Sequence, residues 1–256
     1  MTLASKWSSD LAAWGIPSEI LEQAPQNPWI HPPALFALPQ SISDTPSHQR
    51  AREVVTESST VLDVGCGGGI AAFAIAPPAG KVIGVDHQSE MLAMFAKTAE
   101  NRKLLHQEIL GDWPDVHDMT PIADVVTCHH VVFNISNIEE FLKALDAHAT
   151  KRVVIEMPQQ HPLSTMSNAW KHFWNLDRPK GPTSGDLVAI AESLGFKPKF
   201  ENWSHPIRSN ISEAENIEFT RIRLCLPPDR DVEVAEFLAT HPAAPERKLT
   251  TIWWDK

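Results

Sequence analysis

The chain has 256 residues, enough for one substantial core with additions, and its formal charge of −10 argues against a polyanionic partner such as nucleic acid. Its three cysteines, Cys66, Cys128 and Cys225, stand far apart with no C-x-x-C pair, which gives neither a disulfide framework nor a zinc site and suits a reduced cytoplasm. The N-terminus lacks a basic start followed by a continuous apolar run, and no segment reaches the ~18 apolar residues of a membrane span, so a soluble, unprocessed protein is expected.

Residues 1–56 place Leu3, Trp7, Leu11 and Trp14 at helical spacing, then enter a proline-broken stretch, "APQNPWIHPPALFALP", that cannot be one regular element. This part is expected to wrap the core as a helical lid. The remainder, 57–256, alternates strands with helices. "TVLDV" (60–64), "KVIGVD" (81–86), "ADVVTCHH" (123–130) and "KRVVIEM" (151–157) are β-branched and nearly all apolar, as buried strands are, and "LLHQEIL" (104–110) is a weaker candidate. Between them "GIAAFAIA", "SEMLAMFAKTAE" and "NIEEFLKALDAHA" carry apolar residues at helical spacing, with Ser89 and Asn137 placed to cap. Next, "STMSNAWKHFWNL" sets Met166, Ala169, Trp170, Phe173 and Trp174 on one helical face, a cap insert at about 158–182. The core helix "TSGDLVAIAESLGF", a strand near 198–204, a helical insert at about 205–245 and a last strand in "KLTTIWWD" complete the order. The expected fold is α/β: a doubly wound, Rossmann-like, mostly parallel seven-stranded sheet with helices on both faces, plus the N-terminal and inserted helical caps. Ligands of such sheets bind beyond the carboxyl ends of the strands.

The first of those ends is "VLDVGCGGGI" (61–70), in which a cysteine and four glycines follow an acid. Giving up side chains between a strand and a helix lets a ligand approach the backbone amides, so a nucleotide-like cofactor is expected here. The pattern G-x-G-x-x-G fails from Gly65 because Ile70 stands at the last glycine, although G-x-G-x-x-A fits from Gly67 to Ala72. Asp86 closes the second strand 21 residues after Gly65, where a carboxylate can accept from both ribose hydroxyls. In "GDWPDV", Asp112 and Trp113 follow the weak third strand and offer an acceptor and a ring face to an adenine. On these three motifs residues 60–157 resemble the class I S-adenosylmethionine-dependent methyltransferases. The resemblance implies that Gly65, Cys66 and Gly67 lie along the methionine and ribose of S-adenosylmethionine, that Asp63 orients its amino group, and that Asp86 holds the ribose. It also implies that His87 and Met91 border the adenosine, that Asp112 and Trp113 bind the adenine, and that His129 lies near the methionine. "LAAWGIPSEIL", "PWIHPPALF", "CHHVVFN" and "HPLSTMSNAWKHFWNLDRP" resemble a bacterial group of that class, which extends the likeness over most of the chain without naming an acceptor.

The implied reaction moves the sulfonium methyl in line to an O, N, S or C nucleophile on a small or medium organic molecule. It needs positioning, and a base where the acceptor carries a proton. His129 and His130 close the fourth strand and are the catalytic candidates. Consecutive strand residues face opposite ways, so one of them is expected to reach the acceptor: His130 is assigned to it and His129 to the cofactor. Trp29, His31, Asn134, His161, Trp170 and Trp174 are further acceptor-pocket candidates, on the expectation that 1–56 and 158–182 close over the strand ends around an apolar pocket. No metal is expected, because no i, i+4 histidine pair and no H-E-x-x-H occurs. Nucleic-acid and membrane partners are not expected either, and the oligomeric state is open. Two other functions stay open, an NAD-dependent oxidoreductase, in which "GDWP" has no role, and a cofactor-binding regulatory protein without turnover.

Overall fold

The computed structural model describes residues 2–29, 42–207 and 212–256. Among them, β1 (Thr60–Val64), β2 (Lys81–Asp86), β3 (Leu105–Leu110), β4 (Ala123–His129), β5 (Ala149–Pro158), β6 (Lys199–Pro206) and β7 (Glu246–Asp255) form one sheet. Its order is β3-β2-β1-β4-β5-β7-β6. β1 to β5 pair in parallel, and β7 runs antiparallel to both of its neighbours. Helices cover both faces, which is why the central strands are apolar at nearly every position. Leu62, Val64, Ile83 and Val85 meet Trp7 of α1 (Leu3–Ala12), Leu142 of α6 (Ile138–His148) and Ile190 of α8 (Ser184–Ser193). The alternate residues Val61, Val82, Val125, Val154 and Trp253 meet Ala51 of α3 (Pro46–Arg52), Phe73 of α4 (Ile70–Ile75) and Phe95 of α5 (Ser89–Asn101). A third, smaller cluster lies away from the sheet. It joins Ile20 of α2 (Ser18–Leu21), Trp170 of α7 (Ser167–Trp174), Cys225 after α9 (Glu213–Arg223), and Val234 and Phe237 of α10 (Asp231–Thr240).

Three expectations change on contact with this packing. The N-terminal helix is part of the main core instead of a lid: Trp7 is 1% exposed and its indole donates to the Ile135 carbonyl at 2.8 Å. Trp14 falls beyond the end of α1 and donates to the Gly181 carbonyl at 2.7 Å. The expected caps also differ. Gln88, not Ser89, is the N-cap of α5, and the Ser89 hydroxyl bonds Glu90 instead. Asn137 does hold the N-cap of α6, but its amide donates to the Glu140 side chain and caps no backbone group. No helix among the described residues is long and apolar enough to cross a membrane.

Candidate active site

At the carboxyl end of β1, Asp63 is 1% exposed on the α3 side of the sheet. Its carboxylate accepts from the Thr127 hydroxyl at 3.0 Å and from the Ala72 amide at 3.2 Å. Burial pushes its pKa up to about 7, with the nearby charge of Asp86 acting the same way. The turn that follows bends through Gly65 at φ +68° and Gly67 at φ +50°. A Cβ on Gly65 would sit 2.4 Å from Val131 Cγ2, whereas one on Gly67 would meet nothing within 4 Å. A side chain at Gly67 would therefore enter open space, whereas one at Gly65 would clash with Val131. Asp86, 8% exposed, steadies this turn: Oδ2 accepts from the Gly67 amide and Oδ1 from the Gln88 amide, each at 2.9 Å. Each oxygen keeps a lone pair for a further donor. Burial pushes the Cys66 thiol up. The Trp113 ring meets His148 edge-on at 4.8 Å, and its buried Nε1 has no hydrogen-bond partner among the described residues.

Farther along the sheet, β4 and β5 end in a cluster of imidazoles around one carboxylate. His129 continues the α3-facing row begun by Val125 and Thr127. Its ring stacks on His48 of α3 at 5.5 Å and 18°, and burial pushes its pKa down to about 3. His48 is itself 2% exposed, and burial lowers its pKa too. The Nε2 atoms of His48 and His129 are both buried without a partner among the described residues. At His130 the chain leaves the strand in the left-handed region, φ +61°. Strand alternation lapses there, so both histidines border the same cleft instead of opposite faces. The His130 amide donates to the Glu156 carbonyl at 2.8 Å, and its Nε2 lies 3.1 Å from Glu156 Oε1. Glu156 Oε2 accepts from the Thr45 hydroxyl at 3.1 Å. Burial opposes the charge on Glu156, yet His129, His130 and the Ser47 hydroxyl hold its carboxyl well below the usual range.

One cleft of about 1420 Å³ connects the two ends. It brings together Asp63, Gly65, Cys66, Gly67, Asp86, His87, Met91, Asp112, Trp113, His129, His130 and Asn134. The other pocket candidates lie elsewhere. Trp29 is an exposed indole off the cleft, and His31 lies outside the described residues. His161 stacks on Trp14 at 4.3 Å. Trp170 is buried in the third cluster, and Trp174 donates to the Leu224 carbonyl at 2.7 Å. The apolar face of α7 is thus spent on α9 and α10, so the insert at 158–182 does not roof the strand ends. The walls come from Ile42, Ser43, Thr45 and His48, within the 1–56 segment that was expected to close over the strand ends, and from the ends of β6 and β7, with Trp203, His205, Arg247 and Leu249. Of the groups missing from the sequence reading, Glu156 alone leaves a sign in the chain. A carboxylate inside the buried run "VVIEM" needs a partner.

Residues 61–151 match the family model described as a methyltransferase domain. An uncharacterized protein of Haemophilus influenzae is 31% identical over 114 residues, 44% of this chain and 42% of that protein, so the match spans less than half of the relative. Among solved structures, the YcgJ protein of Bacillus subtilis has a TM-score of 0.56 at 16% identity, over 82% of this chain and 97% of that one. Coclaurine N-methyltransferase bound to N-methylheliamine and S-adenosylhomocysteine has a TM-score of 0.53 at 13% identity, over 98% of this chain and 85% of that one. At such identities the likeness is one of fold. Open space at Gly67, the spare lone pairs of Asp86 and the unpartnered Trp113 indole fit a ribose and an adenine. Among the described residues no group of three or more His, Cys, Asp or Glu could hold a metal ion. Residues 61–151 thus match a methyltransferase domain, and the chain shares its fold with these solved structures.

Proposed function

We propose that this chain moves the methyl of S-adenosylmethionine, in line, to a proton-bearing nucleophile on a small or medium organic molecule, with His130 as the base. A single cleft joining Gly67 and Asp86 to the His130–Glu156 pair carries this proposal. Asp86 receives the ribose hydroxyls, Trp113 and Asp112 the adenine, and Asp63 the amino group. The bound cofactor supplies an electrophilic methyl carbon on a positively charged sulfur. His130 Nε2–H donates to Glu156, so its other ring nitrogen, Nδ1, takes the acceptor's proton as the new bond to carbon forms, and Glu156 balances the resulting imidazolium. His48 and His129, neutral near pH 7, offer Nε2 atoms that orient the nucleophile without competing for its proton. N-methylheliamine in the coclaurine N-methyltransferase structure is consistent with a small-molecule acceptor on this fold.

Calorimetry with S-adenosylhomocysteine and with NAD tests the cofactor. Tight binding of the first alone is expected. Asp86→Ala should weaken S-adenosylhomocysteine by about 1.5–3 kcal/mol, the value of charge-assisted hydrogen bonds. Unchanged affinity in a folded variant would remove Asp86 from the site. Turnover follows from release of labelled methyl into acceptor pools.

A further inference from the structure

The acceptor end of the cleft has a wall graded in polarity. Along β7 the residues Arg247, Leu249 and Thr251 share one face by strand alternation. Thr251 fixes which face: its hydroxyl bonds that of Ser47 in α3 at 2.6 Å and accepts from the Trp203 indole at 3.0 Å. Register places Glu156 opposite Thr251, both Pro158 and Trp203 opposite Leu249, and His205 opposite Arg247. The Trp203 and His205 rings meet edge-on at 6.0 Å. A molecule running outward from His130 therefore meets three layers in turn. The first is polar, with Glu156, His129 and His48; the second is apolar, with Leu249 against Trp203; the third is basic, with Arg247 beside His205. From Thr251 to Arg247 the strand advances about 14 Å at ~3.4 Å per residue.

Two features of this wall call for a ligand of matching pattern. The buried Nε2 atoms of His48 and His129 lack partners among the described residues at the inner end, and buried polar atoms are costly unless bonded. At the outer end, Arg247 is the only lysine or arginine among the described cleft-lining residues of a chain whose net charge is −10. Resting on the methyl-transfer proposal above, we infer that the acceptor is an amphiphile with a carboxylate at one end and the proton-bearing nucleophile at the other, about 10 to 14 Å apart. The carboxylate meets Arg247, whose planar guanidinium matches it with two parallel hydrogen bonds. Trp203 and Leu249 cover the apolar middle, and the head enters the histidine cluster.

The probe is 5-(4-hydroxyphenyl)pentanoate, compared with its primary amide, titrated by calorimetry into protein saturated with S-adenosylhomocysteine. Wild type should bind the acid about fivefold more tightly than the amide, the scale of an accessible ion pair. Arg247→Gln should abolish that preference, and so should salt of about 1 M. Lys248→Gln removes a neighbouring charge from the opposite face of β7 and should keep the preference. Equal affinity for acid and amide in wild type, or the same loss in both variants, overturns the inference. S-adenosylhomocysteine binding without an acid preference sinks this inference alone, whereas failure of S-adenosylhomocysteine to bind sinks the methyl-transfer proposal beneath it.

Discussion

Glu156 is 5% exposed and shares its two oxygens between His130 and Thr45, so its charge and its shape do separable work. Glu156→Gln keeps the shape and removes the charge that would offset an imidazolium on His130. Methyl transfer to any acceptor that turns over should then fall by about 10²-fold, within the range of a general-base contribution. S-adenosylhomocysteine affinity should stay within about twofold if, as proposed, Asp86 and the glycine turn hold the cofactor. Glu156→Ala should in addition lower stability by about 1–3 kcal/mol, because the Thr45 hydroxyl is left without its acceptor. Urea denaturation beside turnover separates the two effects. A Gln variant with wild-type kcat would leave proximity alone as the source of rate.

Helices show the difference between reading a face and knowing its partner. The apolar stripe of α7 is plain in "NAWKHFW", and it is buried, but against Leu224, Cys225 and Phe237 and not over the cleft. Trp170→Ala should therefore destabilise the protein by about 3–5 kcal/mol, as loss of a buried large side chain does, while leaving S-adenosylhomocysteine affinity unchanged. A large loss of cofactor affinity in a folded variant would put α7 back over the site. The same distinction explains what was legible in the chain. Strands buried on both faces announce themselves as continuous apolar runs, and the end of the cleft proposed for the cofactor is built close to their ends. Gly67 and Asp86, which bond at 2.9 Å, are only 19 residues apart. The end of the cleft proposed for the acceptor is assembled by long-range contacts between α3 and the sheet. Thr45 reaches Glu156 across 111 residues and Ser47 reaches Thr251 across 204. Periodicity carries no record of such pairings, so Thr45, His48, Trp203 and Arg247 had no local mark. His130 was legible as a strand end, but its left-handed turn was not, because φ above zero is uncommon for a residue with a Cβ.

Across the whole molecule, several buried groups titrate away from their usual ranges, and the pH dependence of stability follows from their opposing signs. Burial depresses His129 to about 3 and His161 to about 4, the latter helped by Arg178, and it lowers His48 as well. An unfolded histidine takes up a proton near pH 6.5, so the stability these groups hold above that pH is lost as it falls toward their folded values. For His129 the loss between about pH 7 and pH 5 comes to ~2 kcal/mol, and for the less deeply buried His161 to less. Asp63 acts in the opposite direction. Raised to about 7, it binds a proton in the folded state where the unfolded carboxyl, near 3.9, does not, so acidification over the same window returns ~2 kcal/mol. Glu156, depressed, adds stability above the ordinary carboxylate range and loses it only at lower pH. The three histidines together outweigh the one aspartate, so the urea midpoint of wild type should fall between about pH 7 and pH 5. His161→Gln, a change away from the cleft, should flatten that fall. Asp63→Asn should steepen it, because the compensating proton uptake is gone. Midpoints that rise on acidification in wild type, or an Asp63→Asn variant no steeper than its parent, would show that the balance lies with groups other than these.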